Sequence, residues 1–297
     1  MEAYLIIKKY LEEEKLSFDS LDSLDRVSLQ CFIAQSFGVE VNAVSVGDFP
    51  SLEALAEYVD RRKTRTEPRR VNWHELLALS LPIELPSSTV FFPLASKLLR
   101  LWLGLYHRLS IRGRENIPKA GPFILAPNHQ SFLDGAAVMS GIRWAGVKHF
   151  YFFATEDHVR TPLVRFMARH SNVVVMERQN LKDSIHRLAE VLRQGQNLII
   201  FPEGSRTHTG ELGQFKRTYA IMSLELGVPV VPVCIRGAFE AWPRKRRIAR
   251  PGKVTVEYLP PVIPHRSSSY EQLNAEVRTA ILQRLRGASP LSRDKGV

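Results

Sequence analysis

Apolar and polar positions along this chain follow two different periods, and the change of period divides it. In the first 60 residues, apolar positions recur at helical spacing. Val27, Leu29, Ile33, Ala34 and Phe37 share one face, and Leu52, Leu55, Ala56 and Val59 share another. This predicts a small all-α bundle of short amphipathic helices. From Gly121 onward the signal becomes short apolar runs rich in β-branched and aromatic residues, over 123–126, 150–154, 173–176, 198–201, 228–235 and 254–258. Helical patterns sit between several of them, clearest over 184–193, where Ile185, Leu188, Ala189 and Leu192 repeat on one face. Runs this apolar predict strands covered on both sides. The fold class is therefore α/β: a mixed, largely parallel sheet covered by helices, with its ligand site in loops beyond the strand ends.

The two patterned regions are joined by stretches of other character. Residues 61–71 carry Arg61, Arg62, Lys63, Arg65, Arg69 and Arg70 around Pro68 with no apolar period, which reads as a basic, solvated linker. Between Leu76 and Ser96 only Glu84 is charged, but Pro82, Pro86 and Pro93 interrupt the run. Each removes a backbone donor that hydrocarbon cannot replace, so a bilayer crossing is not expected. Beyond it, Leu94, Leu98, Leu101, Trp102 and Leu105 recur at helical spacing, with Lys97, Arg100, Gly104 and Arg108 on another face. Two readings stay open: a helix lying in a membrane interface with Trp102 at headgroup depth, or one packed on the protein's own core. The predicted organisation is a helical module at 1–60, the linker at 61–71, amphipathic helices at 72–108, the α/β body at 109–287 and a tail at 288–297.

Composition narrows the function classes. With 297 residues, 44% hydrophobic and 24% charged, the chain can build a sizeable core. Cys31 and Cys234 are its only cysteines, so neither a disulfide framework nor a four-thiolate zinc site is available, and no metal is expected. A reducing compartment and no export are expected, since the first fifteen residues have no uninterrupted apolar stretch. The net charge of +11 hides two opposite parts. Residues 1–60 hold four basic and twelve acidic side chains, a net of −8, which leaves +19 for the rest. An acidic module is thus joined to a body that prefers an anionic surface or ligand. Nucleic acid is not expected as a partner, because the chain has no zinc-finger spacing, no aromatic RNA-binding signature and no basic region followed by heptads. The exposed-looking run of Arg244, Lys245, Arg246, Arg247 and Arg250 beside Trp242 is read as a lipid-facing cluster.

Two loops carry unusual chemistry. After the run at 123–126 comes Pro127-Asn128-His129-Gln130-Ser131-Phe132-Leu133-Asp134-Gly135. Ser131 and Asp134 have the spacing of a capping box, which would start a helix near Asp134 with His129 just before it. On a continuous helix the two side chains would face apart, but across a loop-to-helix turn they can meet. His129 would then take a proton on one nitrogen while Asp134 holds the other. The second loop, Phe201-Pro202-Glu203-Gly204-Ser205-Arg206, ends a buried strand abruptly and offers Arg206 as an anion fork. Phe215-Lys216-Arg217 and Glu177-Arg178 add further cations.

The order and spacing of Asn128-His129-x4-Asp134, the Arg178 loop, Phe201 to Arg206, and Val228-Pro229-Val230-Val231-Pro232-Val233 resemble the four motif blocks of the glycerolipid acyltransferases, most nearly the 1-acylglycerol-3-phosphate (lysophosphatidic acid) type. The resemblance covers about residues 105–265, with Thr218 where such enzymes commonly place Gly. It implies direct acyl transfer: His129 deprotonates the acceptor hydroxyl, which attacks a thioester carbonyl, and Asp134 orients His129. By the same resemblance Arg178 and Arg206 bind the acceptor phosphate, assisted by Lys216. Glu203, Gly204 and Ser205 shape the acceptor loop, and Asn128, Pro202 and Pro232 support the motifs. The implied product is phosphatidic acid, made at the cytoplasmic face of a membrane by a peripheral enzyme. Glycerol 3-phosphate or another lysolipid stays open as acceptor, as do acyl-CoA and acyl-carrier as donor. The rival of another class is an idle carrier and membrane adaptor, against which the intact His129 and Asp134 argue.

In the front module, Asp22-Ser23-Leu24-Asp25 resembles the Asp-Ser-Leu motif of acyl carrier proteins, and the likeness continues through Phe37, Val41, Phe49 and Tyr58. It implies phosphopantetheine on Ser23 and an acyl chain delivered to the adjacent transferase. The loop before the motif is short and lacks the usual Gly, and Asp19-Ser20-Leu21-Asp22 offers a competing register. The helical spacing behind Ser23 favours Ser23. Carrier and transferase in this order also resemble the end of larger proteins that begin with an adenylate-forming acyl ligase, so a separate ligase is an expected partner.

Overall fold

Strands buried on both faces build the middle of the sheet. β2 (Ile124–Pro127), β5 (Asn197–Ile199) and β6 (Val230–Arg236) are buried along almost their whole length. That is the condition under which a strand reads as a continuous apolar run. The computed structural model describes residues 2–287 apart from 15, 22, 42–45, 70, 79–84, 86–90, 156–164, 167, 169, 177–180 and 266. With β1 (Ser110–Arg112), β3 (Phe150–Thr155), β4 (Val173–Met176) and β7 (Thr255–Tyr258), they form a seven-stranded sheet in the order β1-β7-β6-β2-β5-β3-β4. β2 runs parallel to both β5 and β6, and β3 parallel to β5. β7 is antiparallel to β6 and parallel to β1, so the sheet is mixed and mostly parallel.

Contacts divide the chain into two compact units. One comprises Met1–Pro82, Ala154–Arg160 and Val175–Arg187; the other comprises Ile83–Phe153, Thr161–Val174 and Leu188–Val297. The first holds α1 (Glu2–Glu13), α2 (Ser23–Phe37), α3 (Leu52–Asp60) and α4 (Trp73–Ala78). Its core gathers Ile7, Tyr10 and Leu11 of α1, Leu29, Ile33 and Phe37 of α2, and Leu55 and Val59 of α3. Tyr10 stacks on Phe32 with ring centroids 4.0 Å apart. Ser51 caps α3 by accepting from the Ala54 amide at 3.3 Å.

The expected linker is not wholly solvated. Thr64 and Arg65 donate their amides to the Phe37 carbonyl, Glu67 donates to the Ser36 carbonyl, and the Arg69 amide donates to Ser36 Oγ at 2.9 Å. The last carbonyls of a helix have no intrahelical donor, and this strap supplies donors for two of them. The segment expected at 72–108 also divides: α4 belongs to the first unit, with Trp73, Leu76 and Leu77 buried, whereas α5 (Phe91–Tyr106) belongs to the second. Pro82 and Pro86 lie outside the described residues.

On α5 the two open readings separate. Leu94, Leu98, Leu101 and Leu105 are all more than half exposed, with Leu105 at 77%, while Leu103 is fully buried. These four positions face solvent, and Leu103 makes the inward contact of the helix with the core. Among the described residues no helix is long and apolar enough to cross a membrane.

The remaining helices are α6 (Asp134–Met139), α7 (Leu181–Arg193), α8 (Thr218–Leu226), α9 (Ala238–Ala241) and α10 (Tyr270–Arg286). α10 starts at a full capping box between Ser269 and Gln272.

Candidate active site

Because β5, β2 and β6 are parallel neighbours, their C-terminal ends open on one edge of the sheet, where α/β folds hold ligands. β2 leads into Asn128 and His129, β5 into the loop from Phe201 to Arg206, and β6 into the segment that reaches Trp242. Residues more than 100 positions apart in sequence thus meet at one crevice. Asn128, buried to 1%, ties two of these ends together: its Oδ1 accepts from the Ile235 amide at 2.7 Å and its Nδ2 donates to the Ile235 carbonyl at 3.0 Å. Pro232 stands beside Ala126 within the strand pair, and its carbonyl accepts from the Leu259 amide.

His129 and Asp134 meet across the loop-to-helix turn. His129 Nδ1 lies 2.9 Å from Asp134 Oδ2. The same oxygen accepts from the Gln130 amide at 2.6 Å and the Ser131 amide at 2.7 Å. With three N–H groups converging on it, Oδ2 acts as an acceptor, which places the imidazole proton on Nδ1 and leaves Nε2 as the basic nitrogen. Asp134 is fully buried and its Oδ1 has no hydrogen-bond partner. Burial pushes its carboxyl above the usual carboxylate range, and the donors on Oδ2 oppose that push. Only half of the expected capping box forms. Asp134 accepts from the Ser131 amide, but Ser131 Oγ accepts from Leu133 and donates to the Trp242 carbonyl at 2.8 Å.

Glu203 frames the base. Its Oε1 accepts from the His129 amide at 2.7 Å and its Oε2 from the Gly213 amide at 2.9 Å. The Thr207 amide donates to the His129 carbonyl at 2.8 Å, and the imidazole stacks on Phe201 at 4.0 Å. The expected acceptor-loop carboxylate thus spends both oxygens on backbone donors and positions His129. Burial raises the Glu203 carboxyl above its ordinary range. Gly204 sits at φ +69, a left-handed conformation that favours glycine, with the Lys216 side chain lying over the turn. Pro202 is buried, and its carbonyl holds the Lys216 amide at 2.8 Å. Ser205 is exposed beside it.

Arg206 lies over the Phe132 ring, 3.4 Å from its centroid, with one guanidinium nitrogen buried and without a hydrogen-bond partner. Burial first, and Arg244 second, lower its pKa from the ordinary arginine value. Sequence reasoning did not bring Arg244, His208 or Trp242 to this place. Their one signal was the Trp242-Pro243-Arg244 junction at the head of a basic run, which periodicity does not relate to His129. Arg178 lies outside the described residues, as does the side chain of Ser23, although Ser23 opens α2. Among the described residues no cluster of His, Cys, Asp and Glu could hold a metal ion.

Known proteins resemble this chain. The family model described as Acyltransferase matches residues 108–236. The crystal structure of the 1-acyl-sn-glycerophosphate (LPA) acyltransferase PlsC from Thermotoga maritima superposes with a TM-score of 0.58 at 30% identity, covering 68% of this chain and 79% of that one. A chloroplastic 1-acyl-sn-glycerol-3-phosphate acyltransferase of Arabidopsis thaliana is 30% identical over 152 residues, 48% of this chain and 41% of its own length. The alpha form from Mus musculus is 29% identical over 160 residues, 52% of this chain and 55% of its own. The chain belongs to the acyltransferase family, in its glycerolipid branch. It spans about half the length of the curated relatives it matches.

Proposed function

We propose that this protein transfers a fatty acyl group from a thioester to the free hydroxyl of 1-acylglycerol 3-phosphate, giving phosphatidic acid. The observation that carries the proposal is the His129–Asp134 pair at the edge of a crevice that also holds Arg206. In the reaction the acceptor hydroxyl gives its proton to His129 Nε2 as its oxygen attacks the thioester carbonyl. Asp134 holds Nδ1–H and stabilises the imidazolium. Collapse of the tetrahedral species expels the thiolate, which recovers the proton from His129. The ester bond forms as the thioester bond breaks, with no covalent enzyme intermediate. Arg206 takes the acceptor phosphate through its fork geometry, with Lys216 and Arg178 as its proposed helpers.

Two features support an acyl substrate at a membrane. A groove of about 760 Å³ lies between α5 and the far end of α6, lined by Leu94, Leu98, Leu101, Met139, Ile142 and Val147 among others. Met139 lies five residues past Asp134, about 8 Å along the helix, so the groove is within reach of an acyl chain whose carbonyl sits at His129. The exposed stripe of α5 gives a peripheral enzyme an apolar face for the bilayer interface.

For the front module we propose carriage of the acyl group on phosphopantetheine at Ser23. Its support is placement, Ser23 being the first residue of α2 behind a bundle core that includes Leu29, Ile33 and Phe37. When bound, the arm would supply a thiol for the acyl chain.

One crossed assay tests both readings. The acceptors are glycerol 3-phosphate and 1-acylglycerol 3-phosphate. The donors are acyl-CoA and the chain itself, loaded by a phosphopantetheinyl transferase and acylated. Transfer is expected to 1-acylglycerol 3-phosphate from either donor. Preference for glycerol 3-phosphate would reassign the acceptor, and a chain that never gains the arm while a standard carrier does would end the carrier reading.

A further inference from the structure

Arg244 heads the basic run that the sequence assigns to a lipid surface, yet its anchoring points elsewhere. The Trp242 carbonyl accepts from Ser131 Oγ at 2.8 Å, and the indole packs on Phe132 with ring centroids 5.4 Å apart. Trp242 Nε1 donates to the Arg246 carbonyl at 2.9 Å, and the Arg246 amide donates to the Pro243 carbonyl at 3.0 Å. These bonds close a four-residue turn with Arg244 at its second position and fix it to the loop that carries His129. Arg244 Nη1 lies 3.3 Å from His208 Nε2. A guanidinium only donates, so His208 accepts there and carries its own proton on Nδ1.

Phe132 therefore meets Arg206 on its ring and Trp242 beside it, and Arg244 is near enough to Arg206 to disfavour its charge. Among the described residues, neither guanidinium forms an ion pair with a carboxylate. Like charges held together repel; the Asp134 carboxylate offsets part of this at Arg206, and a doubly charged anion relieves the rest. A phosphomonoester carries close to two charges at neutral pH, whereas a phosphodiester carries one.

We infer that Arg244, set by the Trp242 turn and steadied by His208, is a second binding residue for the acceptor's phosphate and selects a terminal phosphomonoester over a phosphodiester. The inference rests on the acyl-transfer reading above. The same chemistry occurs in the 3′-phosphate of coenzyme A, so the test separates the two sources.

Arg244→Gln in the full chain is assayed with a short-chain 1-acylglycerol 3-phosphate, with its glycerol phosphodiester counterpart, and with varied acyl-CoA. Lys245→Gln, on the same turn, is the control. Arg244→Gln is expected to raise the KM for the monoester about tenfold or more with little change in kcat, and to lower the monoester-to-diester ratio of kcat/KM by a similar factor. Lys245→Gln should leave both unchanged. An unaltered monoester KM, an equal loss on both acceptors, or a rise confined to acyl-CoA overturns the inference. A wild-type chain that acylates only the diester overturns the functional reading with it, whereas an active wild type with an indifferent Arg244→Gln overturns the inference alone.

Discussion

His129→Ala should lower kcat for acyl transfer by about three orders of magnitude while leaving a folded chain. General-base catalysis contributes roughly 10²–10⁴-fold, and no other described group combines a basic nitrogen with a buried orienting carboxylate at the strand ends. The fold should survive because the contacts that hold this loop belong to the backbone of residue 129. Glu203 accepts from its amide and Thr207 donates to its carbonyl, and alanine keeps both. What is lost is the stacking on Phe201 and one of three donors to Asp134 Oδ2, which together cost about 1–3 kcal/mol. Transfer kinetics beside a thermal unfolding curve check this; near-native turnover by a folded variant would remove His129 from the chemistry.

Asp134→Asn should cost about 10²–10⁴ in kcat and should not destabilise the chain at neutral pH. The amide keeps the shape, and the Gln130 and Ser131 amides hold its oxygen toward Nδ1, but the negative charge that stabilises the imidazolium is lost. The stability sign follows from the direction of the shift. A carboxyl whose folded pKa is raised binds its proton more tightly in the folded chain, so folding loses stability as pH rises through the interval between the unfolded value of 3.8 and the higher folded one. Asparagine removes that penalty. Its advantage over wild type in unfolding midpoint should be largest at neutral pH and should shrink on acidification through the carboxyl range. A variant that keeps more than about a tenth of kcat, or loses its midpoint at neutral pH, contradicts this account.

β6, in the sheet's middle, was legible in sequence because burial on both faces makes a continuous apolar run, whereas the edge strand β4 was legible from its β-branched composition. β1 was not: Ser110–Arg112 has one apolar residue and pairs only with β7 at the sheet's edge. β5 starts earlier than its apolar pattern because Asn197 is buried with its Oδ1 accepting from the Phe123 amide at 3.2 Å. The His129–Asp134 pairing was legible as a motif, since five residues of loop and helix decide it. Glu203 was legible as a site residue but not as the acceptor of the His129 amide. Trp242 and Arg244 were illegible, because only the parallel registry of β2 and β6 brings their loop against Ser131 and Phe132.

The central claim is that His129 activates the acceptor hydroxyl for direct attack, and the most direct measurement is the mass of the chain after exposure to acyl-CoA alone. A Ser23→Ala chain takes carrier loading out of the experiment. Before acceptor is added, the account predicts unchanged mass and no release of coenzyme A; after 1-acylglycerol 3-phosphate is added, coenzyme A and phosphatidic acid should appear in equal amounts. An acyl adduct on the chain, with coenzyme A released before any acceptor is present, would contradict it.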